Sequence, residues 1–501
     1  MRVSELVTLE EIKKWKPGEI ITIKAGTGAG KSYFIKNNLY AIAKKNDQKI
    51  LMLLHRKNCL DQFQLEIEND NKTDVISLKT YQHIETLVKH NQLFQFSEYD
   101  YIICDEFHYF MSDAGFNKTT DMSLNAILSQ NNHIRIFMSA TGDYMEKYII
   151  NYKELETISY ELPINFKFIE ELTFYNKDST LDAFIREAVE TKKKAILFIQ
   201  SVEKAYGLYS KYKEHCIFNC SRNNDKFYKY VDSEKIESIL KNEKFDELIL
   251  ITTTCMDAGV NIKDKELLHI VCDVKDTGTL IQCIGRKRLE DEEDHLYLYI
   301  KTITNQELAR TKTKLTKRLE MARFLRKNGV KEYIRKYQRD IDYSHIVYDE
   351  TVEEKDKGTK KINDLIYMKC VIDSSEIDLI QEYGGFGYCK YIARKFGAYN
   401  EIGYTYRIIE EEDRNVELEK YLGDMVGNVM LQVKDRKELI EKVNVRDGNN
   451  NRLLKHIDTL NSKLREIGLD YIIEQFQTSR NVDGKKKNFK SAWRIRRLCD
   501  Y

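Results

Sequence analysis

The stretch that constrains this chain most is Ala25-Gly26-Thr27-Gly28-Ala29-Gly30-Lys31-Ser32, which follows an apolar, β-branched run from Glu19 to Lys24 and precedes an amphipathic segment. Glycines at 26, 28 and 30 let the backbone curl until successive N–H groups point inward, and a helix starting there adds the positive end of its dipole. Such a loop holds a polyphosphate largely by main chain. Lys31 would reach the β- and γ-phosphates, and the Ser32 hydroxyl would sit on Mg²⁺.

From Glu19 to about Ser139, short β-rich runs alternate with helical segments: Ile20 to Lys24, Lys49 to His55, Asp74 to Leu78, Tyr99 to Cys104 and Ile134 to Met138. This alternation predicts a parallel sheet covered by helices on both faces, with ligands at the carboxyl ends of the strands. The fourth run leads straight into Asp105-Glu106-Phe107-His108. An acidic pair ending a buried strand costs desolvation unless a cation is present, and Mg²⁺ with a nucleoside triphosphate supplies one. Asp105 is therefore the expected metal ligand and Glu106 the base that orients and deprotonates water.

The chain has 501 residues and 42% hydrophobic content, enough for several cores. Its formal net charge of +1 requires any affinity for nucleic acid to come from local clusters of charge. No apolar run approaches a membrane span, and acidic residues interrupt Met1 to Ile12, so a cytoplasmic protein without a membrane partner is expected. The ten cysteines are scattered, several inside apolar runs, and read as reduced and structural.

The loop Ala25 to Ser32, then Asp105-Glu106-Phe107-His108, then Ser139-Ala140-Thr141, resemble in this order motifs I, II and III of the superfamily 2 DExH-box helicases. Leu53-Leu54-His55-Arg56-Lys57 with Gln62 resembles motif Ia, and Leu78-Lys79-Thr80-Tyr81-Gln82 the next nucleic-acid loop. The resemblance implies that Arg56, Thr80 and Gln82 hold the phosphates of a strand. It also implies that His108, Ser139 and Thr141 couple the nucleotide state to that strand.

A second α/β unit follows, with runs Ala195 to Ile199, Leu248 to Thr253, Leu267 to Val274 and Leu296 to Ile300, and no phosphate loop. Phe198-Ile199-Gln200-Ser201 resembles motif IV, and Thr252 to Ile262, which includes Thr253 and Gly259, resembles motif V as found in CRISPR-associated DExH helicases. Gln282-Cys283-Ile284-Gly285-Arg286-Lys287-Arg288 resembles motif VI. An arginine there would stabilise charge on the γ-phosphate, worth about 10³ to 10⁵ in rate in phosphate-loop NTPases. The family places its second arginine three residues after the first; here the interval is two, which leaves the choice between Arg286 and Arg288 open. The likeness spans about residues 19 to 303 and implies tandem RecA-like lobes with ATP in the cleft between them.

Beyond the lobes, Asn305 to Asp340 holds twelve Lys and Arg against four acidic residues. This stretch reads as helix, either a solvated face or a flank to an emerging strand. The cluster Tyr383-Gly384-Gly385-Phe386-Gly387-Tyr388 reads as a packed turn. Near the end, Arg436 to Val443 reads as a short helix, and Leu453 to Ile467 as a second one ended by Gly468. Tyr471 to Gln477 and Phe489 to Leu498 read as a hairpin with its turn over 481 to 488. This pattern resembles a winged helix-turn-helix, which would present Asn449, Asn450, Arg452 and Lys455 from its second helix. The hairpin would add Lys485, Lys486, Lys487 and Lys490 beside Phe489 and Trp493.

The expected organisation is a first lobe over 1–155, a second over 156–303, a helical accessory region over 304–430 and a winged-helix-like element over 431–501. The expected activity is an ATP hydrolase working as a helicase or translocase on DNA rather than RNA. The alternatives are a nucleic-acid-dependent switch that clamps without unwinding and recruits protein partners through its C-terminal third, or an RNA helicase.

Overall fold

The computed structural model describes residues 2–115, 117, 119–256, 260–289, 291, 293–338, 346–352, 357–446, 452–482 and 485–498. The chain divides into two compact units, one comprising residues up to 173 with 178–406, the other 174–177 with 407–501.

In the first unit, β1 (Ile20–Ala25), β2 (Ile50–Leu54), β3 (Ile76–Thr80), β4 (Tyr101–Asp105), β5 (Ile134–Ser139) and β6 (Ile158–Leu162) build a sheet in the order β3-β2-β4-β5-β1-β6. All its pairings are parallel. Parallel strands covered on both faces bury both sets of side chains, which is why β2 reads as a continuous apolar run and β5 as an apolar run interrupted by Arg135, and both are buried throughout. Parallel register also brings the loops after β1 to β5 to one edge. The first lobe therefore continues to Leu162, past the expected limit at 155, because β6 pairs with β1. No apolar run announces β6: it is an edge strand, exposed or half-buried along its length.

The second lobe uses β7 (Ile169–Tyr175), β8 (Lys194–Ile199), β9 (Cys216–Asn219), β10 (Ile249–Thr252), β11 (Leu267–Asp273) and β12 (Leu296–Lys301), in the order β7-β12-β11-β8-β10-β9. The pairings among β8 to β12 are parallel. Two parallel-sheet α/β lobes, as in tandem RecA-like folds, are thus present. After β12, the helix Asn305–Tyr337 is broken at Gly329 (φ 77°, ψ 175°). An antiparallel hairpin, β13 (Val347–Val352) with β14 (Lys357–Ile362), follows. The helix Asp364–Glu382 then joins the helix Gly387–Phe396 through the aromatic and glycine turn. Among the described residues, no helix is long and apolar enough to cross a membrane.

The second unit runs β15 (Arg407–Ile408), helix Ile409–Met425, β16 (Val429–Met430), helix Lys437–Val443, helix Ile457–Glu466, β17 (Tyr471–Val482) and β18 (Lys485–Arg497). It begins at 407, so the expected boundary at 430/431 falls inside it. Its antiparallel sheet has the order β16-β18-β17. Leu418, Leu439, Leu460, Leu464, Trp493 and Ile495 share its apolar core. Asn461 fastens the third helix to the sheet, donating to Ile473 O at 2.9 Å and accepting from Ile473 N at 2.8 Å.

Candidate functional site

The loop after β1 turns through left-handed glycines, Gly28 at φ +85° and Gly30 at φ +87°, conformations that a Cβ would strain. Lys31 begins a helical stretch and folds back over the loop, donating from Nζ to Ala25 O at 2.9 Å. The same Nζ lies 3.6 Å from Glu106 Oε1, with both side chains nearly buried. Ser32 is exposed on the first turn. Val3 N donates to Ala29 O at 2.9 Å, so the N-terminal segment braces the loop from outside.

Opposite the loop, β4 ends at Asp105, and Glu106 adopts a left-handed φ of +49°. A non-glycine residue pays on the order of 1–3 kcal/mol for such a conformation, which the surroundings must hold in place. Part of that hold is visible. Ser139 Oγ donates to Glu106 Oε2 at 3.2 Å, His108 Nδ1 lies 2.8 Å from Ser139 Oγ and 3.3 Å from Glu106 Oε2, and Thr141 N donates to Ser139 Oγ at 3.1 Å. Burial pushes the Asp105 carboxyl up, reinforced by the neighbouring Glu106 charge. Burial also opposes ionisation of Glu106, but the Lys31 charge and the His108 hydrogen bond outweigh it and hold Glu106 well below the usual carboxylate range. One carboxyl of the pair thus carries the charge beside Lys31, while burial and that charge favour the protonated form of the other.

The second lobe closes over this site. Gly285, which ends the helix Thr277–Ile284, sits so close to the phosphate loop that a Cβ there would stand 2.5 Å from Thr27 Oγ1. Three residues on, the Arg288 guanidinium lies against Gly28, 3.1 Å from where a Cβ would be. Its Nε and Nη2 donate to Asn261 Oδ1 at 2.8 and 2.5 Å, which aims the remaining Nη1 at the loop. Among the described residues that buried Nη1 has no hydrogen-bond partner, nor does Thr141 Oγ1 on the first-lobe side. Burial and the Arg286 charge lower the Arg288 pKa to about 10, so it stays cationic at neutral pH. Arg286 points elsewhere: 4% exposed, it donates to Val260 O at 3.2 Å, Gln282 O at 3.0 Å and Gln282 Oε1 at 3.1 Å. Arg286 and Gln282 therefore form a buried brace, with Gln282 supporting Arg286.

The remaining expected residues divide. Arg56, Thr80 and Ser201 follow β2, end β3 and follow β8 at the carboxyl edges of their sheets. Thr80 and Ser201 also cap the helices that follow, accepting from His83 N and Lys204 N. Thr253 is buried behind β10. Gln82 turns inward, donating to His55 O at 3.0 Å and Tyr109 Oη at 3.1 Å, so its amide is taken up within the protein. Gly259 lies outside the described residues, as do Asn449 and Asn450. Arg452 and Lys455 are exposed but precede the helix, which begins only at Ile457. Leu454 N bonds to Val445 O at 2.8 Å and holds that stretch extended.

The hairpin is longer than the sequence suggests, with β17 continuing to Val482 and β18 resuming at Lys485. Lys485, Lys486, Lys487 and Lys490 are exposed along it, and Phe489 is half-buried with Lys487 Nζ 5.8 Å from its ring. Trp493 is no stacking platform: it is buried in the unit's core beneath the Arg436 guanidinium, 4.4 Å away. Arg494 and Arg496 both pair with Glu474, and Arg497 donates to Tyr471 Oη.

Residues missed by sequence reasoning are those whose role is to hold others. Asn261, which aims Arg288, and Tyr81, which bonds to Asp105 O, both lay inside quoted motifs but carried no local signal of a partner.

Fold and site together define a two-lobed parallel α/β protein whose glycine-rich loop after β1 is roofed by the opposite lobe. No family model matches the chain, and no curated protein matches it. Solved structures do. S. cerevisiae Dbp5 bound to RNA and ADP BeF3 is 16% identical, with 59% of this chain and 82% of that one covered and a TM-score of 0.45. The E. coli DEAH/RHA helicase HrpB is 14% identical, covering 62% and 44%, with a TM-score of 0.43. Mycobacterium smegmatis helicase Lhr bound to ssDNA and AMP-PNP is 14% identical, covering 61% and 46%, with a TM-score of 0.43.

Proposed function

We propose that this chain is an ATP-hydrolysing helicase or translocase acting on DNA, of the superfamily 2 DExH kind its motifs resemble. One observation carries the reading: the unpartnered Nη1 of Arg288 faces the phosphate loop at Gly28 from the opposite lobe. A buried guanidinium N–H without a partner is costly, and a γ-phosphate between the lobes would satisfy it. The residues fit the ligands the loop implies. Gly26 to Ser32 would hold the triphosphate, and Ser32 and Asp105 the Mg²⁺. The chemistry the metal supplies when bound is neutralisation of charge on the β- and γ-phosphates.

Lys31 would exchange its bond to Ala25 O for phosphate oxygens. Glu106, kept ionised by Lys31 and His108, would orient water and take its proton. Arg288 would stabilise the charge that develops, the role the sequence left open between two arginines. Ser139, bonded to both Glu106 and His108, would pass the state of the base to Thr141 at the lobe junction.

The second unit supports DNA as the polymer. Its order of helix, strand, two helices and hairpin, with the sheet order β16-β18-β17, supports the winged-helix reading of this unit. Lys485, Lys486, Lys487 and Lys490 are exposed along the hairpin, so contact would be made there, to phosphates.

The test is ATPase turnover without polymer and with single-stranded DNA, duplex DNA and RNA, beside a strand-displacement assay. DNA-stimulated turnover with strand displacement is the expected result. Stimulation without displacement would favour the clamp, stronger stimulation by RNA would change the polymer, and turnover indifferent to all three would overturn the reading.

A further inference from the structure

Tyr81 follows Thr80 at the end of β3 and is fully buried. Its hydroxyl donates to the carbonyl oxygen of Asp105 at 2.8 Å. Its ring stacks on Tyr109 at 5.1 Å with an interplanar angle of 8°, and Phe110 meets it edge-on at 4.7 Å. The carbonyl it holds belongs to the peptide whose N–H is that of Glu106, the residue in the strained left-handed conformation. A change in the pitch of that peptide would swing the Glu106 side chain relative to Lys31 and Ser139.

The same block reaches the neighbouring loop. Gln82 ties Tyr109 Oη to the His55 carbonyl. Tyr109 in turn donates to buried Glu85 at 3.0 Å, a carboxylate that also accepts from Ser123 and Asn117. The His55 ring lies 6.3 Å from that of His108. The loops after β2 and β3 and the segment after β4 are therefore one hydrogen-bonded body. Thr80 Oγ1 accepts from His83 N at 3.2 Å in the first turn of the helix that carries Tyr81. A threonine hydroxyl can accept that bond and donate to a phosphate oxygen at once, so a strand gripped there loads this turn directly.

We infer that Tyr81 is a positioning residue that carries occupancy of the Thr80 loop by a nucleic-acid phosphate to the Asp105–Glu106 peptide. Through it, polymer binding sets the rate of hydrolysis. The inference rests on the helicase reading above. Burial holds the Tyr81 phenol far above its ordinary pKa, so it remains a donor throughout the neutral range. Packing does not require the oxygen, since the stack with Tyr109 and the contact with Phe110 belong to the ring.

The experiment uses the full chain as wild type, Tyr81→Phe and Tyr81→Leu. It measures basal and single-stranded-DNA-stimulated kcat, KM for ATP, DNA affinity by fluorescence anisotropy, and Tm. Tyr81→Phe should lower the ratio of stimulated to basal kcat about tenfold, the factor one hydrogen bond of ordinary strength carries, with KM and DNA affinity within about twofold of wild type. An unchanged ratio in Tyr81→Phe, with the loss seen only in Tyr81→Leu, would assign the effect to ring packing and overturn the relay. Equal loss of basal and stimulated turnover in Tyr81→Phe would overturn it as well, since a purely structural role predicts that pattern. A wild type whose turnover ignores both DNA and RNA would instead sink the helicase reading, a failure distinct from either.

Discussion

A Cβ placed on Gly285 would stand 2.5 Å from Oγ1 of Thr27, so the second lobe's turn and the first lobe's phosphate loop touch with no room for one more methyl group. Gly285 has an ordinary helical φ of −68°, and its need for glycine comes from this approach alone. Gly285→Ala should therefore keep each lobe folded but hold the lobes apart. Expected is a fall in ATPase kcat/KM of at least about tenfold, equivalent to ~1.4 kcal/mol, with Tm nearly unchanged. Wild-type turnover in this variant would mean that the roofed arrangement is not the active one.

Arg288 and Arg286 should separate by readout. Arg288→Ala removes the guanidinium that faces Gly28, so kcat should drop by about 10³ to 10⁵ while the melting temperature stays close to wild type. Arg286→Ala leaves the Val260 and Gln282 oxygens without their buried donor, a loss on the order of 1–3 kcal/mol that should lower Tm. Calorimetry beside steady-state kinetics decides the matter, and the opposite pattern would reverse the assignment.

Glu106→Gln keeps the shape of the base and its bond from Ser139 but cannot take a proton. Turnover should fall by about 10² to 10⁴, with binding of a fluorescent ATP analogue retained. Lys31→Ala should act at the earlier stage and weaken nucleotide binding itself, because the charge that lies 3.6 Å from Glu106 and reaches toward the phosphates is gone. Equal nucleotide affinity in Lys31→Ala and wild type would remove the loop from the binding site.

On the β17–β18 hairpin, the exposed lysines can be changed without touching the fold. Deleting the strand is a poor test, since Trp493 and Ile495 in β18 belong to the unit's core. Replacing Lys485, Lys486 and Lys487 by serine should leave basal ATPase as it was. It should flatten the salt dependence of duplex DNA affinity by about 0.9 in log-log slope for each phosphate that the hairpin ceases to neutralise. If the slope of the triple variant equals that of wild type, the hairpin does not touch phosphate.

The strands that read plainly in the sequence are those buried on both faces: β2 is apolar throughout, and β5 is interrupted by Arg135, whose buried guanidinium donates to Leu128 O and Gly18 O. β6 and β9 were missed because both are edge strands, β6 exposed or half-buried along its length and β9 a short run ending in Asn219, and neither carries enough pattern to register. The start of the third helix in the second unit was placed early. Leu453 and Leu454 keep helical spacing with the residues after them, yet the antiparallel bridge of Leu453 with Arg446 and the bond from Leu454 N to Val445 O draw them into extended backbone.

By itself the sequence determined what depends on neighbours along the chain: the glycines that turn the phosphate loop, the acidic pair ending a buried strand, and the alternation that makes each lobe a parallel sheet. These follow from local backbone freedom, side-chain periodicity and the cost of burying charge. Only the tertiary structure decided which side chains face which. It turned Arg288 toward Gly28 and Arg286 toward Val260, tied Gln82 to His55, buried Trp493 and set Tyr81 on Asp105. The physical reason is that each of these partners comes from another strand, helix or lobe. The direction of a side chain there is set by packing against that distant element, on which local spacing carries no information.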